Sequence, residues 1–204
     1  TEKCIAETGL KPLYYGIIGM RQFTNSKHEI VTPDDLKGLK IRAQNNSVQV
    51  KGLSAFGCSI STMSFSEVFT SLQQGTIDGQ ENPIETLYNF QYYDVQDYVT
   101  ISNHLCTAGA VVCNNAWYEG LSDEFKAAVD KAAQVAEAYS IEELNSSESE
   151  VLSLLAEKMQ VTELTEEQLA AFQDVAKTAW PELVDEIGSD YMNEFLTAAG
   201  ISMN

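Results

Sequence analysis

No run of eighteen apolar residues occurs in the 204-residue chain, so no segment has the length and character of a membrane-spanning helix. The first residues, T-E-K-C-I-A-E-T-G-L, lack the basic and apolar regions of a secretion signal and an initiator Met, as in a processed or truncated product. There is no C-x-x-C pair, and His28 and His104 stand alone, so no metal site is expected and each histidine reads as structural. G-x-S-x-G, Walker, dinucleotide and H-E-x-x-H patterns are all missing, and no Cys has a His spaced as its base. Neither catalysis nor a cofactor is expected. Internal repeats and low-complexity linkers are absent too.

Basic residues are scarce. Lys and Arg total 12 against 30 Asp and Glu, for a net charge of −18. Residues 1–113 carry a net of about −3 and residues 114–204 about −15, so the acidic excess belongs to the second half. Such a surface repels phosphate backbones and anionic lipid, so no nucleic-acid partner is expected. The two arginines are Arg21 and Arg42. Set among apolar residues in a chain that otherwise uses Lys, they suggest planar forks chosen to grip something. Of the four cysteines, Cys58, Cys106 and Cys113 read as buried apolar thiols, although an exported protein would be able to pair two of them.

What is present alternates strands with helices. Residues 1–9 look like the end of a helix stopped by Gly9, and L-K-P-L-Y-Y-G-I-I-G reads as a buried strand, with Gly19 permitting a sharp change of direction. Thr32-Pro33-Asp34-Asp35 opens a short helix ending at Gly38. A strand follows over Leu39 to Ala43. Asn46 or Ser47 caps a helix carrying Val50, Leu53, Ala55 and Phe56 to Gly57, and Cys58 to Ser61 is a strand. Ser64 and Glu67 form an S-x-x-E capping box before a helix that Gly75 closes, Thr76 to Gly79 returns as a strand, and a polar loop leads to a helix at Pro83. Tyr98 to Asn103 and Gly109 to Asn114 read as two strands joined by H-L-C-T-A. From Ser122 the chain is almost entirely helical, with Phe125, Val129, Ala132, Ala136 and Tyr139 at helical spacing and a second capping arrangement at Thr165. This alternation predicts a parallel sheet covered on both faces, with ligands beyond the carboxyl ends of the strands, where Arg42 and Asn82 fall.

Four ordered segments carry a family likeness: Gly19-Met20-Arg21-Gln22-Phe23-Thr24, the D-L-K-G-L-K-I-R run from Asp35 to Arg42, the stretch from Met63 to Pro83 ending in D-G-Q-E-N-P, and Tyr93 to Tyr98. They resemble the solute-binding proteins of tripartite ATP-independent periplasmic (TRAP) transporters, the DctP family. The resemblance implies an α/β, periplasmic-binding-protein-like (type II-like) lobe with a parallel-rich mixed sheet, followed by long C-terminal helices. Members carry a longer segment before the G-x-R motif, which implies an incomplete two-lobe architecture. Residues 1–18 would be a remnant of the first lobe and 19–107 the core of the second, ligand-binding lobe. Residues 108–147 would cross into the first lobe and form a long connecting helix, and 148–204 would pack on both lobes. The implied role is extracytoplasmic, in a periplasm or on a Gram-positive surface: capture of a small organic acid and delivery to TRAP membrane permease subunits. A ligand-sensing module of the same fold is the alternative. With one wall of the cleft, the chain is expected to bind weakly by itself and to self-associate through uncovered surface.

Candidate ligand-binding residues are Arg42, Asn82, Arg21 and Phe65. Arg42 reads as a bidentate carboxylate anchor or as a surface arginine at a strand end, and the resemblance favours the anchor. Asn82 is a ligand-reading amide or the cap of the next helix. The resemblance implies that Arg21 assists with the anion, and the alternative is an internal ion pair with Glu81 or Asp78. The resemblance implies that Phe65 covers the ligand body; read from the sequence alone it fills the core between helix and sheet. Glu67, Asp78 and Glu81 read as scaffold.

Overall fold

A computed structural model describes residues 1–201, and the side chains of all of these except residues 144 and 145. Helix α1 (Glu2–Thr8) ends at Gly9, whose φ of 71° is the left-handed geometry that favours glycine. The chain then enters β1 (Leu10–Asn25), a strand of 16 residues that runs on past the expected end at Gly19. At Gly19 the strand does not turn. It passes through a bulge against its neighbour and continues, with φ 147° and Pro83 packed so close that a Cβ would lie 2.8 Å from it.

A 3-10 turn over Pro33–Leu36 begins where the Asp35 carboxylate accepts from the Thr32 amide at 2.8 Å. There follow β2 (Lys40–Ala43), α2 (Ser47–Ser54), β3 (Ser59–Thr62), α3 (Phe65–Gln73), β4 (Gly79–Pro83) and α4 (Ile84–Asn89). Asn46 is the cap of α2, accepting from the Gln49 amide at 3.0 Å. Ser64 and Glu67 close the box at α3, where the Ser64 amide donates to Glu67 at 3.0 Å. The stretch read as a polar loop is instead β4, buried along its whole length. Likewise β5 (Tyr98–Asn114) is one strand of 17 residues, carried through H-L-C-T-A by a left-handed Asn103. The remainder is α5 (Asn115–Glu119), α6 (Asp123–Ala156), β6 (Gln160–Glu163), α7 (Glu166–Lys177), α8 (Trp180–Ile187) and α9 (Ser189–Ala198).

The six strands lie in the order β3-β2-β4-β1-β5-β6. Pairs β2/β3, β2/β4 and β5/β6 are parallel, whereas β1 runs antiparallel to β4 and β5, so the sheet is mixed. Strand alternation splits the core in two. On one face Phe23, Ile41, Ala43, Leu53, Phe56 and Phe172 pack together; on the other, Val68, Leu72, Leu87, Tyr92, Val99 and Leu155 do. Arg42 stands between Ile41 and Ala43 and so belongs to the second face.

Two expectations of burial fail. The outer halves of β1 and β5 form a ribbon that neither β4 nor β6 reaches, and Tyr15, Ile17, Ile18, Val111 and Val112 are exposed along it. Cys106 and Cys113 lie on this ribbon, exposed and half-buried, and only Cys58 of the three sits in the core; all four thiols are free. On α6, Phe125 and Tyr139 are exposed, because the helix meets the sheet along other positions, with Ala133 buried. None of the helices described is long and apolar enough to cross a membrane.

Candidate functional site

The side chain of Arg42 is all but fully buried, on the face of the sheet that carries α3. Its Nη2 and Nε donate to the backbone carbonyl of Met63, at 2.9 and 3.3 Å, in the turn that leads into the α3 capping box. Among the described residues no carboxylate forms an ion pair with it, and its Nη1 is buried without a hydrogen-bond partner. A guanidinium carries five N–H donors in a planar fork. Met63 occupies one edge of that fork and the Nη1/Nη2 edge is left over, which is the edge a carboxylate would accept from with two parallel bonds. Burial lowers the pKa of Arg42, and Glu81 partly opposes this. The guanidinium remains charged.

Phe65, the first residue of α3, is more than one-third exposed and stands edge-on to Phe90, with ring centroids 4.7 Å apart, and to Tyr92 at 6.4 Å. It is a partly exposed aromatic rather than a core residue. Asn82 sits inside β4, buried, paired in register with Gln22. It does not cap α4. Its Oδ1 accepts from Arg21 at 3.0 Å and its Nδ2 donates to Gln80, which is in register with Arg42 across the β2/β4 pair.

Arg21 shows the internal pairing. Its Nε and Nη2 donate to the two oxygens of the Glu81 carboxylate, and Nη1 donates to Thr107 at 3.1 Å. Glu81, one position before Asn82, faces the opposite side of the sheet, as its register with Phe23 requires. There it also accepts from Gln49 of α2 at 2.9 Å and lies 3.4 Å from Nε2 of His104. Burial pushes the Glu81 carboxyl up, but His104 and Arg21 outweigh it and hold the group below its usual range. Burial holds His104 below the ordinary histidine value, so at neutral pH it is an uncharged ring beside a fully formed ion pair. The ring stacks on Phe23 at 3.9 Å. His104 and Gln49 are thus members of the network that their sequence neighbourhoods did not reveal. The visible signal was a glutamine at an inward position of an apolar helix.

On the face of Phe23 and Glu81, opposite Arg42, a cavity of about 490 Å³ opens between α2, β5, α7 and α8. Arg21 and His104 are on its wall, but Arg42, Asn82 and Phe65 are not. The sheet therefore separates an unneutralised cation from a neutralised, largely apolar hollow.

Residues 2–186 match the family described as "Bacterial extracellular solute-binding protein, family 7" (DctP). The C4-dicarboxylate-binding periplasmic protein DctP of Vibrio cholerae is 32% identical over 203 residues, which is 97% of this chain and 59% of that protein. The 2,3-diketo-L-gulonate-binding periplasmic protein YiaO of Escherichia coli is 40% identical over 131 residues, 64% of this chain and 40% of its own. Among solved structures, the ectoine-binding protein of the TeaABC TRAP transporter of Halomonas elongata superposes with a TM-score of 0.85 at 32% identity, over 91% of this chain and 61% of that one. A TRAP solute-binding protein of Sulfurospirillum deleyianum with bound succinate gives 0.84 at 27%, over 95% and 64%. The chain spans about half the length of the curated relatives it matches. With the expected order of motifs on a sheet of this topology and a family match along nearly its whole length, the chain belongs to the DctP family of bacterial extracellular solute-binding proteins.

Proposed function

We propose that this chain carries one wall of the ligand cleft of an extracytoplasmic receptor, which captures a small organic anion and hands it to the membrane permease of a TRAP-type transporter. Residues 1–18 and 108–147 would belong to the first lobe, 19–107 to the second, and 148–204 to helices that pack on both. The observation that carries the reading is the state of Arg42. Burying a guanidinium without a counter-charge costs several kcal/mol, and a carboxylate on its free edge supplies both the charge and the missing hydrogen bonds. Succinate in the Sulfurospirillum protein and L-galactonate in a Roseobacter denitrificans relative are ligands of this class. Asn82 orients the anion, Arg21 acts by fixing Asn82 through its Oδ1, and Phe65 covers the carbon skeleton. Closure over a ligand held from both sides would be the signal the permease reads, since a ligand shifts a conformational equilibrium only by its differential affinity for the two states. The reading is one of binding, release and transport, without chemistry on the ligand.

With a single wall the affinity should be weak, so the test is an NMR titration of the chain with succinate, a method that reads millimolar binding. Saturable shifts at the Arg42 side chain, the Asn82 amide and the Met63–Phe65 backbone are expected. Shifts confined to other surfaces, or equal shifts in an Arg42→Met chain, would overturn it.

A further inference from the structure

The cavity on the far side of the sheet is left unused by that reading. We propose that it is a second ligand site, taking an uncharged molecule with a compact apolar body and a single hydrogen-bond-accepting head. Its wall is mostly hydrocarbon, with Leu53 and Phe56 on one side and Trp180 and Leu183 on the other. A volume of about 490 Å³ falls within the range of small-molecule sites. The polar end is built from groups whose charge is already spent. Arg21 is held by both oxygens of Glu81, so the pair presents donors but no net charge.

One donor in that end lacks a partner. His104 is buried, its Nδ1 lies 2.8 Å from the Ser102 hydroxyl, and its Nε2 makes no hydrogen bond. Nε2 is nevertheless 3.4 Å from a Glu81 oxygen, off the line of a hydrogen bond. A bare lone pair facing a carboxylate would be repelled, so Nε2 carries the proton and Nδ1 accepts from Ser102. A carbonyl oxygen in the cavity would accept from Nε2. An anion would gain no net charge there and would have the Glu81 carboxylate as a neighbour. This is the reverse of the preference at Arg42.

The residue that keeps the hollow open is Gly52. It lies inside α2, where a glycine costs roughly 1 kcal/mol relative to alanine. A Cβ at this position meets nothing within 4 Å, and its backbone is ordinary helix. Neither a turn nor a close approach requires glycine there. What the missing side chain preserves is space along the cavity wall.

The test uses camphor as the uncharged probe and camphorsulfonate as its charged counterpart on the same skeleton. Trp180 lines the cavity, and replacing the other tryptophan by Trp117→Phe leaves its fluorescence as the only indole signal. Camphor should change this signal saturably, with camphorsulfonate about tenfold weaker or worse. Gly52→Leu should keep or raise the melting temperature and abolish the response, and Ala176→Leu, from the α7 wall, should also abolish it if the first variant fails to fold. Arg42→Met should leave camphor binding unchanged while removing the succinate shifts, so the two sites fail independently. A folded Gly52→Leu chain that binds camphor as before, equal binding of the sulfonate, or no saturable response in the parent chain would each overturn the proposal.

Discussion

At the scale of single residues the two arginines have opposite energetics, and this makes their roles separable. Arg21 and Glu81 compensate one another in a buried site, so Arg21→Met leaves a carboxylate with its main partner gone; breaking such a pair costs about 3–5 kcal/mol. Arg42 has no such partner, and Arg42→Met removes an unpaired buried charge while keeping a side chain of similar reach. Its stability should be unchanged or raised, and succinate binding lost. Urea denaturation of the two variants beside the parent checks the contrast; equal destabilisation by both would mean that Arg42 is a structural residue. The same network sets the response to acid. The folded-state pKa of His104 is lowered from 6.5 and that of Glu81 from 4.5, so both groups bind protons more readily in the unfolded chain. Each contributes stability that is complete above its unfolded value and declines as pH falls below it. The chain should therefore begin to lose stability as pH falls below about 6.5, and more steeply below about 4.5. His104→Gln should flatten the first step and also shrink the second, because His104 is one of the two groups that hold Glu81 down, as read from urea midpoints across a pH series.

At the scale of elements, the helix starts were the most legible part of the sequence. Their signals are local: Asn46, Ser64 with Glu67, and Thr165 with Gln168 each satisfy amides within three residues. Gly57 and Gly75 likewise adopt the positive φ that their positions after helices required. Strand β4 was not legible. Gly79-Gln80-Glu81-Asn82-Pro83 has the composition of a loop, and it is tolerated in the sheet centre because Arg21, Gln49 and Thr24 satisfy its polar side chains from far along the chain. Long-range compensation of that kind leaves no local trace. The hold of Arg42 on the Met63 carbonyl was not legible either, for the same reason. In the proposed reading that contact ties the α3 cap to Arg42. Ser64→Ala removes half of a box one residue beyond the carbonyl that positions Arg42, and should cost about 1 kcal/mol while weakening succinate binding. A lower urea midpoint with unchanged slope and an unaltered succinate titration would show that the cap serves the helix alone.

At the scale of the whole molecule, the unexplained feature is the ribbon formed by the outer halves of β1 and β5. Register pairs join Leu10 through Arg21 to Asn114 through Leu105, whereas β4 meets β1 only from Arg21 onward and β6 meets β5 only over Tyr98–Ile101. Both outer edges thus present backbone donors and acceptors with no neighbouring strand, beside the exposed side chains of Tyr15, Ile17, Ile18 and Val112. Long apolar edges are templates for another strand. A second copy of the chain supplies one of matching length and pattern, because a strand edge laid antiparallel on its own twin across a two-fold axis pairs with itself. The acidic helices do not oppose this, since the net charge of about −3 on residues 1–113 leaves the ribbon half nearly neutral. The chain should therefore associate as its concentration rises. Sedimentation velocity should show a mass that grows with loading, and Ile18→Lys with Val112→Lys should return it to a monomer without loss of helix content, because both side chains are exposed and lysine on an edge strand blocks pairing. If the parent chain sediments as a compact monomer at every concentration, its edges are protected by some other means and the ribbon is not an interface between copies.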